Sequence, residues 1–311
     1  MGADVKNRET AKSEAGPFEF KVKPLTPHFA GRVETPIDLR QPFTQAQIDG
    51  FRAAMDKYGV LVVPGQQLTD EDQVRFGEQF GVIEGTPTLV DQERRRLANM
   101  KINDISNLSA DGEIFAKDDR RRMYNLGNLL WHSDSSFKAT PAMWSMLNAR
   151  VIPPEGGDTE FIDTRVAWDH LPEYVKAEIK DMVTDHSLIF SRAQMGFDEF
   201  SPEEKARCEP VPQRLVRRHP GSGRLAVYLS AHIGRIHGMP TPEAVALINY
   251  LTEFATQRQF VFTQVWTVND LVIWDNRCTM HRAVRYHDKG YPRDMRRVTL
   301  EDYAPTLEQP V

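Results

Sequence analysis

The sequence predicts a mainly β protein, a β-sandwich or jelly roll carrying helical insertions. Strand-like runs recur over roughly 200 residues. Helical patterns gather near the start and in the stretches between strands, so the regular alternation that a parallel α/β sheet needs is missing. The chain also has no G-x-G-x-x-G or P-loop pattern, the main signal of a nucleotide-binding fold. A length of 311 residues allows two domains or one large β-rich domain. With 40% hydrophobic and 27% charged residues the chain is globular, which excludes a collagen-like, low-complexity or wholly disordered protein.

Residues 1–20 are polar and read as a frayed tail, with order starting near Phe18 and one domain over 21–311. Thr44 and Gln47 form a capping-box pattern ahead of the apolar stripe Ile48, Phe51 and Met55, and Gly59 closes that helix. Val60–Val63 is a short buried strand, stopped by Pro64 and Gly65. Thr69 with Asp72 opens a second helix carrying Phe76 and Phe80. Further helices are expected over 173–183, with Val175, Ile179 and Met182 on one side, and over 241–256. The second has Pro242 in its first turn and an apolar face of Val245, Ile248, Leu251 and Phe254 or Ala255. Strands are expected over 102–108, 142–152, 224–230, 259–267 and 271–276. Residues 109–128 are charge-rich without a sustained period and read as a lid loop over a site.

The net charge of −5 gives no broad basic field for nucleic acid, so anion specificity must come from local arginines. No apolar run is long enough for a membrane span. The first residues show no secretory h-region, and Lys6 stands where a myristoylation signal wants Ser or Thr. Cys208 and Cys278 lie far apart with no C-x-x-C pair, which argues against a disulfide framework or a thiolate zinc site. These features together predict a cytoplasmic protein.

The chemistry is carried by His132-x-Asp134. Residues two apart in an extended segment point the same way, so an imidazole and a carboxylate converge on one metal ion. His281, after the run LVIWDN and the turn RCTM, is the candidate third ligand. Two His and one carboxylate on one face of an octahedron are the facial triad of non-haem Fe(II) oxygenases. Activating dioxygen there needs two further electrons. 2-Oxoglutarate supplies them, chelating iron through its C1 carboxylate and C2 keto oxygen, and its C5 carboxylate then needs a fixed cation. Arg fits better than Lys because its planar fork matches a carboxylate. Arg293 and Arg297 are four apart downstream of His281; in a strand they face one side and Arg296 the other. A solvated basic run is the competing reading of that cluster. Of the remaining histidines, His170, His219 and His287 sit in polar runs and are expected in solvent, whereas His232 and His237 could face a pocket.

The set WHSDSSF, PPEGGDTEF, HPGSGR, WDNR-x₃-HRA and R-x₃-R resembles the taurine/2,4-dichlorophenoxyacetate dioxygenase family from about residue 23 to about residue 304. DISNLSADG, LWHSDSSF, PPEGGDTEF and ATQRQF point to its 2,4-dichlorophenoxyacetate branch. The resemblance implies a double-stranded β-helix, or jelly roll, and an Fe(II)- and 2-oxoglutarate-dependent dioxygenase. It makes His132, Asp134 and His281 the iron ligands and catalytic residues. Thr159 helps hold 2-oxoglutarate, and Arg293 clamps its C5 carboxylate. Arg297 faces the anionic end of substrate or cosubstrate, and Asn128 stands on the substrate side. The segment from His281 to Arg293 is one residue longer than in the family, with Pro292 at the simple offset. Placing the extra residue in the HDKGY turn keeps R-x₃-R in register, and leaves open which Arg takes which carboxylate. Asp134 in place of Gly or Ala disfavours a halogenase.

Asp275, Asn276 and Arg277 are expected to support the turn that aims His281. Trp131 and Trp274 are expected in the core. The implied reaction oxidises 2-oxoglutarate to succinate and carbon dioxide while a substrate carbon is hydroxylated. With an aryloxyacetate, the hemiacetal product collapses to a phenol and glyoxylate. The same chemistry on taurine, another alkyl sulfonate or a small carboxylate is the alternative. A non-catalytic metal-binding jelly roll and a zinc hydrolase are the readings from other classes; the second lacks a positioned general base. Relatives imply a homo-oligomer acting on a small anion, with no nucleic acid or membrane as partner.

Overall fold

The computed structural model describes residues 18–85 and 95–311. In chain order, β1 (Val22–Pro24) and β2 (Gly31–Val33) lead to α1 (Gln45–Tyr58), β3 (Val60–Val63), α2 (Asp70–Glu78) and β4 (Asn103–Ser106). A short helix, α3 (Arg120–Asn125), precedes β5 (Ala142–Val151) and β6 (Thr159–Asp163). A long insertion follows. It holds α4 (Thr164–His170), α5 (Glu173–Ile179), β7 (Val183–His186), α6 (Leu188–Gln194), α7 (Pro202–Ala206), β8 (Val211–Arg214), β9 (Val216–Arg218), β10 (Leu225–Val227), β11 (Ile233–Ile236) and α8 (Thr241–Ala255). The chain returns through β12 (Phe262–Gln264), β13 (Leu271–Asp275), β14 (Thr279–Ala283) and β15 (Asp294–Glu301).

The large sheet has the order β1-β2-β3-β13-β5-β15-β4 and the small one the order β12-β6-β14. Their pairings are antiparallel, except that β2 runs parallel to β3. This is the expected jelly roll. Its core follows from the two-residue period of strands. Leu61, Val63, Met146, Ile273 and Val298 point outward onto α1 and α2, where Phe51, Phe76, Phe80 and Trp144 form an aromatic cluster. Their neighbours Val60, Val62, Leu147, Val272 and Trp274 point inward and meet Phe161 of the small sheet. The run VLVV, buried throughout, is thus divided between two cores. A third core lies behind the small sheet, where Ile162 and Met280 pack on α4, α5 and α8.

Both expected capping boxes are present, at Thr44–Gln47 and Thr69–Asp72, and Gly59 ends α1 with φ 66°. Several expectations are corrected. The helix after 173 ends at Ile179, and β7 then begins at Val183. On α8 the expected Leu251 and Ala255 are in the core with Ile248 and Phe254 packed against it, but Val245 is exposed and Ala244 is buried instead. The run 259–267 splits into a 3₁₀ turn (Arg258–Phe260) and β12. Of the expected tail, 1–17 lie outside the described residues, but Phe20 is buried and Phe18 packs beside it. Among the described residues no helix is long and apolar enough to cross a membrane.

Candidate metal centre and its two cavities

His132 and His281 face each other between the two sheets. Each donates its backbone N–H to the other's carbonyl, at 3.0 and 2.9 Å. His281 sits on β14 opposite Phe161, which fixes the direction of its ring. The ring lies 4.6 Å from that of Trp274 and 5.9 Å from Phe161. Trp274 is thus buried as expected and also walls the site. Two residues after His132 the chain turns, with Ser135 at φ 51° and its hydroxyl donating to Glu84. Asp134, at the start of that turn, comes to 3.8 Å from Nε2 of both imidazoles. One ligand atom from each of the three residues lies within 4.8 Å of the others, and all three residues are buried.

The arrangement fits a metal ion. The His132 Nδ1–H group donates to the Leu130 carbonyl at 2.8 Å, which leaves Nε2 as the free donor atom. On His281, Nδ1 is buried without a partner. Burial pushes both imidazoles below their ordinary range, so they are neutral ligands at pH 7. Burial alone would raise the Asp134 carboxyl. The Arg297 guanidinium and the two imidazoles overcome that and hold it well below the carboxylate range. Arg297 Nη1 donates to Asp134 Oδ1 at 2.5 Å, and the Ser145 hydroxyl donates to Oδ2 at 2.7 Å. Asn276 completes the support. Its Oδ1 accepts from the Asp134 N–H and from Trp274 Nε1, each at 3.0 Å, and its Nδ2 donates to Ser145 at 3.0 Å. Asp275 binds Trp144, His219 and Arg277 behind the same turn. His219 is fully buried there, which corrects its expected place in solvent. His170, His237 and His287 are exposed.

A cavity of about 380 Å³ opens beside the His pair, lined by Asn128, His132, Thr159, His281, Arg293 and Arg297 among others. Thr159 enters from β6, and its hydroxyl accepts from Trp266 Nε1 at 3.1 Å. Arg293 precedes β15 and is buried, and burial pushes its guanidinium down to about 10. Its Nε and Nη2 donate to the Gly157 carbonyl at 3.2 and 3.1 Å; no carboxylate of the described residues pairs with it. Gly156 and Gly157 have φ of 70° and 72°, so the PPEGGD turn needs glycine to present that carbonyl. The turn around His287–Gly290 is pinned by Asn107, whose Nδ2 donates to the Asp288 and Tyr291 carbonyls. Arg296 faces away and pairs with Asp294.

A second cavity, of about 210 Å³, adjoins the first, shares Phe115, Asn128, His132 and Arg297 with it, and reaches Asp134. Its walls include Tyr124, Phe137, Leu188, Arg192 and His232, of which the sequence suggested only His232. The rest come from the segments before β5 and from α6, where no spacing announces a pocket. The expected lid, 109–128, holds α3, capped by Asp119, and sends Phe115, Arg122 and Asn125 to the first cavity's mouth.

The sequence matches the family "Taurine catabolism dioxygenase TauD, TfdA family" over residues 21–299. It is 42% identical over 281 residues to the alpha-ketoglutarate-dependent 2,4-dichlorophenoxyacetate dioxygenase of Cupriavidus pinatubonensis, covering 90% of this chain and 97% of that one. Identity is 32% over 272 residues to the (S)-phenoxypropionate/alpha-ketoglutarate-dioxygenase of Sphingobium herbicidovorans, covering 85% and 89%. Among solved structures, AAD-2 in complex with Mn(II) and N-oxalylglycine superposes with a TM-score of 0.90 at 48% identity, covering 93% of this chain and all of that one. The chain therefore belongs to the TauD/TfdA family and is an Fe(II)- and 2-oxoglutarate-dependent dioxygenase.

Proposed function

We propose that the enzyme hydroxylates an aryloxyalkanoate such as 2,4-dichlorophenoxyacetate at the carbon beside the ether oxygen. His132, Asp134 and His281 would hold the iron. Arg293 would clamp the C5 carboxylate of 2-oxoglutarate with help from Thr159, and Arg297 and Asn128 would face the substrate. The observation that carries this reading is Arg293, a buried guanidinium without a carboxylate partner in the cavity that also holds the His pair. Retaining such a group without an anion is costly, and a dicarboxylate cosubstrate offsets that cost.

When bound, iron with 2-oxoglutarate and dioxygen supplies the oxidising chemistry, with succinate and carbon dioxide as coproducts. The chain's own contribution is positional. Ser145 and Asn276 fix the Asp134 carboxylate, Trp274 and Phe161 fix the His281 ring, and Asn128 with the 109–128 segment keeps water from the mouth. After hydroxylation the hemiacetal collapses to a phenol and glyoxylate without a general base.

The reading covers 21–311 as one catalytic unit, with 109–128 as its lid and Arg122–Asp288 as the clasp, 2.7 Å long. It also places the enzyme in the cytoplasm as a homo-oligomer; buried free Cys208 and Cys278 suit a reducing compartment. The test is anaerobic addition of Fe(II) and 2-oxoglutarate, then oxygen with a panel of aryloxyalkanoates and alkyl sulfonates. A phenol with glyoxylate, or the corresponding 2-oxo acid, is expected. Sulfite release without phenol would assign a sulfonate instead, and no substrate-dependent succinate would overturn the reading.

A further inference from the structure

The second cavity contains a charge that the reaction as described leaves unused. Arg192, on α6, is 5% exposed and lines this cavity together with His132, Asp134 and His232. Other cations on the same wall are neutralised within the fold. Arg96 is held by Asp104 and Asp294, Lys138 by Glu84, and Arg297 by Asp134. No carboxylate of the described residues pairs with Arg192. Its Nη1 donates to the Ser191 hydroxyl at 3.0 Å, and its Nε is buried without a partner. The guanidinium lies 4.3 Å from the Tyr124 ring centroid. Gly127 closes over it so tightly that a Cβ there would stand 2.5 Å from Nη1. The group is therefore held in place, desolvated and short of an anion.

We infer that Arg192 is a second anchor, beside Arg297, for the carboxylate of the organic substrate and a residue that sets the preference for an anion. The inference rests on the proposed substrate class. In an aryloxyalkanoate the carboxylate is bonded to the carbon that is attacked, so its anchor must sit within a few bonds of the metal ligands. Arg192 does: it lines the same cavity as the metal ligands His132 and Asp134. Ser191 links Arg192 to His232, whose Nδ1 lies 3.0 Å from the same hydroxyl. Leu108, Phe115, Phe137 and Leu188 line the same cavity and supply apolar surface for an aryl ring. A preformed guanidinium against an apolar wall selects an acid over its uncharged analogue, because the uncharged analogue leaves the buried charge unpaired.

The test uses the iron-loaded enzyme and its Arg192→Met and Arg192→Lys variants. Phenol release is measured from 2,4-dichlorophenoxyacetate and from its primary amide, with 2-oxoglutarate and Mn(II) affinities measured alongside. For Arg192→Met the KM for the acid should rise about 30-fold or more, as expected for losing a charge-assisted pair. The KM for the amide should stay near the wild-type value, as should the 2-oxoglutarate and Mn(II) affinities. Arg192→Lys should restore part of the acid preference. Equal losses on acid and amide, or an unchanged KM for the acid, would overturn the inference. If Arg192→Met does not fold, Arg192→Gln carries the same acid-to-amide ratio, and a wild-type ratio there overturns it equally. Wild-type enzyme that releases phenol from no aryloxyalkanoate would instead sink the substrate class. Wild-type turnover with an undiminished acid preference in the variant would sink the Arg192 assignment alone.

Discussion

Asp134 shows how a single buried side chain is made dependable. Its carboxylate meets Arg297, Ser145 and two imidazoles, and its own N–H is taken by Asn276. Asn276→Ala removes the acceptor for that N–H and for Trp274, so Mn(II) affinity should fall about 10- to 100-fold, measured by electron paramagnetic resonance. Arg293→Leu should raise the dissociation constant of 2-oxoglutarate about 100-fold, measured by equilibrium titration of the Mn(II) form. The same variant should keep or raise the melting temperature, since the buried charge it removes has no carboxylate partner. His132, Asp134, His281 and Arg293 could be picked out from the sequence because the chemistry demands those residue types at workable spacings, whereas Thr159 was pointed to by the family resemblance alone. Ser145 and Asn276 could not be assigned their contacts, because a serine or asparagine gains its meaning from what the fold brings beside it. Arg192 was hidden for the same reason: a lone arginine after a serine reads as surface.

Elements announced by local signals were the ones predictable from sequence. Thr44 and Thr69 carry complete capping boxes, and Thr69→Ala should cost about 1 kcal/mol in urea unfolding. Gly59→Ala should cost about 1–2 kcal/mol: its φ is 66°, and an added Cβ would stand 3.0 Å from Arg165 Nη2. The strands β14 and β15 left weaker traces. The stretches TMHRA and DMRRVTLE are what a strand becomes when one face serves a polar cavity, because the apolar alternation is broken by His281 and Arg297. On α8 the periodic apolar face holds at Ile248, Leu251, Phe254 and Ala255 and fails at Val245, which faces solvent while Ala244 is buried.

At the scale of the molecule, the buried imidazoles make the fold sensitive to acid. His186 is fully buried, stacks on Tyr228 with centroids 5.7 Å apart, and is pushed down to about 3 by burial. Its folded pKa lies below the ordinary value of 6.5, so the unfolded chain binds the proton first as pH falls. Stability is therefore complete above about pH 6.5 and is lost as the pH falls through the window toward about 3, at about 1.4 kcal/mol per unit for one such group. The melting temperature should decline over that window, and His186→Phe should flatten the decline; an unchanged slope would show that other groups set it. The jelly roll itself and the helices α5 and α8 of the long insertion between β6 and β12 were predictable from pattern, whereas that insertion's strands β7, β8, β9 and β11 were not, because such short strands carry little periodicity. That insertion has a further consequence. One side of the second cavity is strand-borne and the other is built from the segments ahead of β5 and from α6 and its neighbours. Substitutions in those flanking segments are free to alter what the enzyme accepts without disturbing the aromatic cluster that keeps it folded. Selection for a new compound should therefore accumulate changes there, and leave the sheets as the inherited part of the catalyst.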